Sequence, residues 1–299
     1  MTDGLIVVDK PCGMTSHDVV ARCRKIFGQR RVGHAGTLDP DATGVLLVGL
    51  GQATRLLQFV SDRSKSYTGE IVLGVATTTL DASGEPTGRF DMGAVTLESA
   101  RRAAEKLTGR IEQVPPMVSA IKVGGRRLHE LAREGVEVAR APRPVTVTRF
   151  DLEVAPDQDP GPLGGGPVLA ATIDCSSGTY VRTLAADLGA LLGGGAHLRR
   201  LRRTAVGPWT VADSVPLDDV GPDRVLPPAA ALGDRPSLTV DGDVAVAVGH
   251  GQVLERSRLG ATGEGPWPVL DRGGALLAVY AGHGPGRAKP SVVLSPTVR

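Results

Sequence analysis

Apolar and polar positions follow one another along this chain in blocks short enough to read one at a time. Residues 5–8, LIVV, form an apolar run that meets Asp9-Lys10-Pro11, so a strand is predicted that the proline ends. Beyond the loop PCGMTS the pattern predicts a helix over about 17–27, with Thr15 or Ser16 as its N-cap. Val45, Leu46, Leu47, Val48 and Leu50 lie between glycines and predict a strand buried on both faces. Gln52 to Val60 continues as a helix, and KSYTGEIVLGVAT from Lys65 gives a strand with partial alternation. Thr77 to Gly88 reads as a polar loop, after which Thr96 caps the helix LESARRAAEKLTG, with Gly109 at its end. Residues 156–167, PDQDPGPLGGGP, hold nothing that could fill a core and read as a flexible surface loop. VLAATIDC returns as a strand, and SSGTYVRTLAADLGALLG starts a helix. If Arg199 to Arg203 is extended, Arg199, Leu201 and Arg203 share one face. The composition shifts near Pro227-Pro228. From about Ser237 the short apolar runs VAVAVG, LLAVYAG and SVVLSP, set between Gly, Pro and Asp, give an all-β pattern.

Composition narrows this picture. The chain has 299 residues, 41% of them hydrophobic, enough for a main domain and a smaller one. Forty glycines and twenty-two prolines favour a loop-rich α+β architecture. A net charge of +2 excludes a globally basic nucleic-acid coat, so any affinity for nucleic acid must come from local patches. One such patch runs from Lys122 to Arg149, where seven Lys/Arg face three Glu. Three scattered cysteines without a CxxC pair support neither a disulfide framework nor a zinc cluster, and a reducing cytoplasm is expected. The amino terminus lacks the apolar core of a signal peptide, and no stretch approaches the ~20 apolar residues of a membrane span.

Candidate chemistry concentrates between His34 and Gly44. Two glycines, a proline and two aspartates crowd into this stretch, so the backbone must bend sharply just before the buried strand. Asp39 sits in the bend, and a carboxylate braced in this way can be aimed at a substrate. Asp39-Pro40 can equally be an N-cap followed by a first helical residue. No P-loop or HExxH is present, and GLGQAT lacks the context of a dinucleotide site.

The whole string GHAGTLDPDATGVLLVGLGQATR resembles the signature of the TruB family of pseudouridine synthases, G-H-x-G-x-L-D-P-x-A-T-G, at every fixed position. DKPCGMTS, VPPMVSAIK and CSSGTYVRTL resemble three further motifs of that family, so the likeness covers roughly residues 5–210. It implies that Asp39 is the nucleophile and that His34 touches the substrate. It also implies that Tyr67 lies against the target base, that Tyr180 and Arg182 serve the site, and that Leu201 lines the uridine pocket. Lys10 is expected either to meet a phosphate or to brace the catalytic loop, and the arginines at 199–203 are candidate phosphate ligands. The family commonly has tyrosine where this chain has His129, so no aromatic contact is transferred there. The implied fold is α+β, a mixed and largely antiparallel sheet flanked by helices. A catalytic domain of residues 1–232, with an RNA-contacting insertion at about 118–150, is followed by a small all-β PUA-like RNA-binding domain, 233–299. The implied reaction turns uridine 55 in the T loop of tRNA into pseudouridine. It needs no cofactor, no metal, no membrane and no protein partner, and a cytoplasmic monomer is expected. The competing reading is a noncatalytic RNA-binding or RNA-folding protein of the same fold.

Overall fold

Strand β1 (Gly4–Lys10) buries Leu5 through Val8 almost completely, as a strand covered on both faces does. In this computed structural model, which describes residues 1–119, 122, 123, 125–127, 131, 134–136 and 138–294, the chain then turns at Pro11 into helix α1 (Ser16–Phe27). Of the two candidate caps, Thr15 is the one used. Its hydroxyl accepts from the Asp18 backbone N–H at 3.1 Å, while the Asp18 carboxylate accepts from the Thr15 N–H at 2.8 Å. Helical spacing turns Ser16, Val19, Val20 and Cys23 inward, and Gly28, in the left-handed region, closes the helix. Strand β2 (Val32–Ala35) runs antiparallel to β3 (Thr43–Leu50), which is buried from Gly44 onward. Ile6, Val8, Val19, Val20, Leu46 and Val48 form the core these elements share. The helix expected from Gln52 to Val60 is instead a 3-10 turn, Gly51–Leu56, and a single-turn helix α2 (Gln58–Ser61). The Asp3 carboxylate accepts the Gln52 N–H at 2.6 Å and so fastens the start of that turn. These elements belong to a unit made of Met1–Pro40, Val45–Asp62 and Gly207–Arg299; Asp41–Gly44 and Arg63–Val206 make the other.

The second unit is built on long antiparallel strands. Strand β4 (Lys65–Leu73) breaks at Gly74 and resumes as β5 (Val75–Thr77), which pairs with β6 (Pro86–Arg89), so the polar stretch after Thr77 is the connection of a hairpin. Helix α3 (Leu97–Glu105) is capped by Thr96 as expected but stops at Lys106, and Gly109 opens strand β7 (Gly109–Gln113). Strands β8 (Lys122–Val123) and β9 (Arg126–Arg127) pair with each other. Strand β10 (Arg143–Val154), strand β11 (Val168–Cys175), helix α4 (Val181–Leu191) and strand β12 (Ala196–Val206) complete the unit. The sheet order is β12-β4-β11-β10-β7, with every neighbouring pair antiparallel. Helix α3 packs on β10 and α4 on β12. The segment expected to be an RNA-contacting insertion, about 118–150, is therefore part of the sheet from Arg143 onward. Of the residues that gave it its charge pattern, Glu130, Arg133 and Glu137 lie outside the described residues, as does His129.

Residues 156–167 are fastened. The Gln158 amide donates to Ala155 O and Val168 O, and its oxygen accepts the Val168 N–H. Residues 238–294 build a five-stranded sheet over a core that includes Trp267, Val269, Tyr280 and Ala288. The pattern there is not purely β: VAVAVG lies in a helix, Gly242–Gly249, that buries Ala247 and Val248. So short a run fits either period, and its flanks decide. Asp241 stands at the N-cap, and Asp243 in the first turn meets the positive end of the helix dipole.

Candidate functional site

The turn that carries Asp39 is not the start of a helix. Residues 37–42 bend without regular structure and lead straight into β3, which removes the N-cap reading of Asp39-Pro40. Gly36, at φ 72°, supplies the left-handed residue that turns the chain out of β2. Both neighbours of Asp39 are then pinned. The Ser16 hydroxyl accepts the Leu38 N–H at 2.9 Å and donates to Leu38 O at 3.2 Å. Pro40 O accepts from the Lys10 ammonium at 2.9 Å and from the Gly13 N–H at 3.0 Å. Lys10 is fully buried and also donates to Pro11 O and Met14 O, at 2.8 and 2.6 Å. Between the two expectations for Lys10, the contacts seen are those of a brace. Asp39 itself is half-buried. His34, also half-buried, lies on β2 opposite Val48, and its ring meets that of His17 edge-on at 5.3 Å and 84°.

The other candidates lie in the second unit. Tyr67 is buried on β4 between Ile173 of β11 and Arg203 of β12. Leu201 pairs with Gly69 two positions along, so register places Tyr67, Leu201 and Arg203 on one face of the sheet. Arg203 is 1% exposed, and its strand passes so near Gly44 that a Cβ there would stand 2.1 Å from Arg203 O. This close approach explains the last glycine of the Asp39 signature.

Tyr180 stands at the N-cap of α4, where Gln113 accepts its N–H at 2.7 Å and donates to its C=O at 3.1 Å. Arg182, in the first turn of that helix, is buried. One terminal nitrogen donates to Thr79 O at 3.0 Å and Asp81 Oδ2 at 3.3 Å, and the other donates to Val118 O at 2.8 Å. The Asp81 Oδ1 atom collects Thr79 Oγ1, Ser83 Oγ and the Ser83 N–H, so one aspartate orders its loop and holds the guanidinium.

Sequence reasoning missed Asp81, Gln113 and Gly13, and saw Ser16 only as a possible cap. A usable signal existed for Ser16: with Asp18 three residues after Thr15, the capping box assigns the cap to Thr15 and leaves the next hydroxyl available. Two of the arginines read as phosphate ligands are already engaged by carboxylates. Arg199 pairs with Glu70 at 2.8 Å and with Asp157 at 3.3 Å, and Arg200 reaches Glu70 at 3.4 Å. The basic stretch after residue 118 is partly paired as well, Arg126 with Glu134 and Arg149 with Asp151. Cys12 is exposed, whereas Cys23 and Cys175 are buried and their thiols are pushed up to about 11 by loss of solvent. Among the described residues no group of three His, Cys, Asp or Glu could hold a metal ion, and no helix is long and apolar enough to cross a membrane.

Comparison with known proteins places this arrangement. A chain from a solved Cbf5-Nop10-Gar1 complex superposes with a TM-score of 0.72 at 25% identity, covering 98% of this chain and 84% of that one. The architecture is that of the pseudouridine synthases, an α+β class with a mixed sheet. Residues 24–181 match the N-terminal domain of the TruB family pseudouridylate synthases, and residues 182–224 match a tRNA pseudouridylate synthase B C-terminal domain. The tRNA pseudouridine synthase B of Symbiobacterium thermophilum is 51% identical over 251 residues, 83% of this chain and 82% of the relative. The protein of the same name from Arthrobacter sp. (strain FB24) is 43% identical over 309 residues, 99% of this chain and 98% of the relative. The chain belongs to the TruB family of pseudouridine synthases.

Proposed function

We propose that this protein isomerises uridine to pseudouridine in the T loop of tRNA, at uridine 55, with Asp39 as the nucleophile. The reaction breaks the bond from uracil N1 to ribose C1′, turns the base, and joins C5 to C1′. N1 gains a proton and C5 loses one, so no electrons are exchanged and no redox cofactor is needed. What the reaction needs is a carboxylate to bond to the nucleotide or to stabilise charge at the sugar, and groups that retain the detached base. The observation that carries the reading is the pinning of Leu38 and Pro40 on either side of Asp39, which fixes the backbone from which that carboxylate projects. A stacked uridine is inaccessible, so the base is flipped out at a cost of a few kcal/mol. Tyr67, Tyr180 and Leu201 hold it, and His34 contacts the nucleotide. Arg182 is the cation assigned to this chemistry, because a positive charge favours an ionised carboxylate. Residues 1–232 carry the reaction and 233–299 form the PUA-like part that recognises RNA, in the cytoplasm where tRNA is matured.

The test is release of tritium from 5-tritiated uridine in a T-arm stem-loop. Asp39→Asn is expected to abolish it while RNA binding survives, and substantial residual turnover refutes the nucleophile assignment.

A further inference from the structure

Four consecutive residues, Thr15-Ser16-His17-Asp18, divide into two pairs with different work. Thr15 and Asp18 close the capping box and fix the entry of α1. Ser16 and His17, lying between them, both reach the segment that leads to Asp39. Ser16 is 1% exposed, and its hydroxyl makes two hydrogen bonds with the backbone of Leu38, itself buried. The His17 ring, on the exposed side of the helix, stands edge-on to the ring of His34 at 5.3 Å. Contact is thus made at residue 34 and at residue 38, on either side of Gly36, whose left-handed backbone turns the segment.

We propose that the first turn of α1 is a two-point clamp, in which Ser16 positions the Asp39 carboxylate through Leu38 and His17 orients the His34 ring toward the substrate. Both are positioning residues and touch no reacting atom. The chemistry fits the two tasks. A hydroxyl donates and accepts at once, so it fixes both the N–H and the C=O of one peptide residue and sets the direction in which the next residue points. An edge-to-face ring pair restricts rotation of the partner ring without taking up its nitrogens. The capping box supports the clamp, because its reciprocal hydrogen bonds fix the entry of the helix that carries both residues. The inference rests on Asp39 as nucleophile and His34 as substrate contact.

The clamp predicts that its two points fail differently. Ser16→Ala displaces the carboxylate, so the single-turnover rate on the T-arm stem-loop falls about tenfold or more while RNA affinity stays within twofold. Ser16→Cys, a weaker donor and acceptor, falls between. His17→Ala loosens a substrate contact, so the dissociation constant rises about two- to tenfold, the range that a ring pair is worth. His17→Phe keeps the edge-on ring and restores affinity. Rates and filter-binding constants are measured beside thermal melts, with Asp39→Asn as the control. Wild-type rate and affinity in Ser16→Ala and His17→Ala overturn the clamp. So does a His17→Phe protein no better than His17→Ala, or a loss in rate and affinity together that follows the melting temperature. Should Ser16→Ala not fold, the rate-to-affinity split in Ser16→Cys decides. An active Asp39→Asn protein instead removes the reading beneath the clamp, and the two failures are distinct.

Discussion

Replacing Lys10 with methionine measures how far the site depends on one buried ammonium. Lys10 has no exposed surface and donates to the carbonyls of Pro11, Met14 and Pro40 at 2.8, 2.6 and 2.9 Å. A hydrogen bond to a charged group contributes about 1.5–3 kcal/mol, so three represent a gross loss of about 5–9 kcal/mol. Against this, the variant no longer has to desolvate a cation, a saving of several kcal/mol, and the unbranched methionine refills the volume of the lysine stem. The net expectation for Lys10→Met is a destabilisation of about 3 kcal/mol, read from the shift of the urea midpoint multiplied by the slope of the transition. Function suffers more than stability, because the released acceptor on Pro40 adjoins Asp39. Turnover in the tritium assay, run where the variant is still folded, should fall by about a hundredfold while RNA affinity changes little. A midpoint shift worth under about 1 kcal/mol, or turnover within threefold of the unaltered protein, would refute the claim that these three bonds hold the turn.

Two further outcomes follow from the second unit. Arg182→Lys replaces a planar fork that serves acceptors on Thr79, Asp81 and Val118 with a single nitrogen that cannot span them. Turnover is expected to drop about a hundredfold with RNA affinity within threefold, and unchanged turnover would make Arg182 mere scaffold. His197 is fully buried on β12, with Nδ1 donating to Val75 O and Nε2 buried without a partner among the described residues. Burial therefore holds its pKa below the ordinary 6.5. As pH falls below about 6.5 the unfolded chain takes up that proton first, so stability is lost with acidification. His197→Gln should flatten this part of the stability profile; an identical slope in urea titrations between pH 5 and 7 would show that His197 does not contribute.

The parts of this fold that were legible in the sequence are those whose causes are local. The strand after the Asp39 turn could be read because five apolar residues lie between glycines, and α1 could be read because Val19, Val20 and Cys23 fall at helical spacing. Two of the misreadings share one origin, partners distant in sequence. Arg199 and Arg200 looked like phosphate ligands because Glu70 lies 129 positions before the first of them. Thr77 to Gly88 looked like an ordinary polar loop because Asp81 acquires its meaning from Arg182, 101 positions later. VAVAVG failed for a different reason: five alternating small apolar residues satisfy both periods, and the flanking aspartates settled the matter. Within the site, motif likeness supplied candidates, but which of them brace the turn is a matter of hydrogen bonding that no motif records.

The uneven burial of the three thiols has a practical side. Cys23 and Cys175 stay protonated and shielded at neutral pH, so a maleimide dye added to the unmodified chain should attach at Cys12 alone. That position adjoins Gly13, whose N–H reaches across to the turn of Asp39. The protein thus carries a native attachment point for a fluorophore, from which the arrival of RNA could be followed in real time without engineering a cysteine.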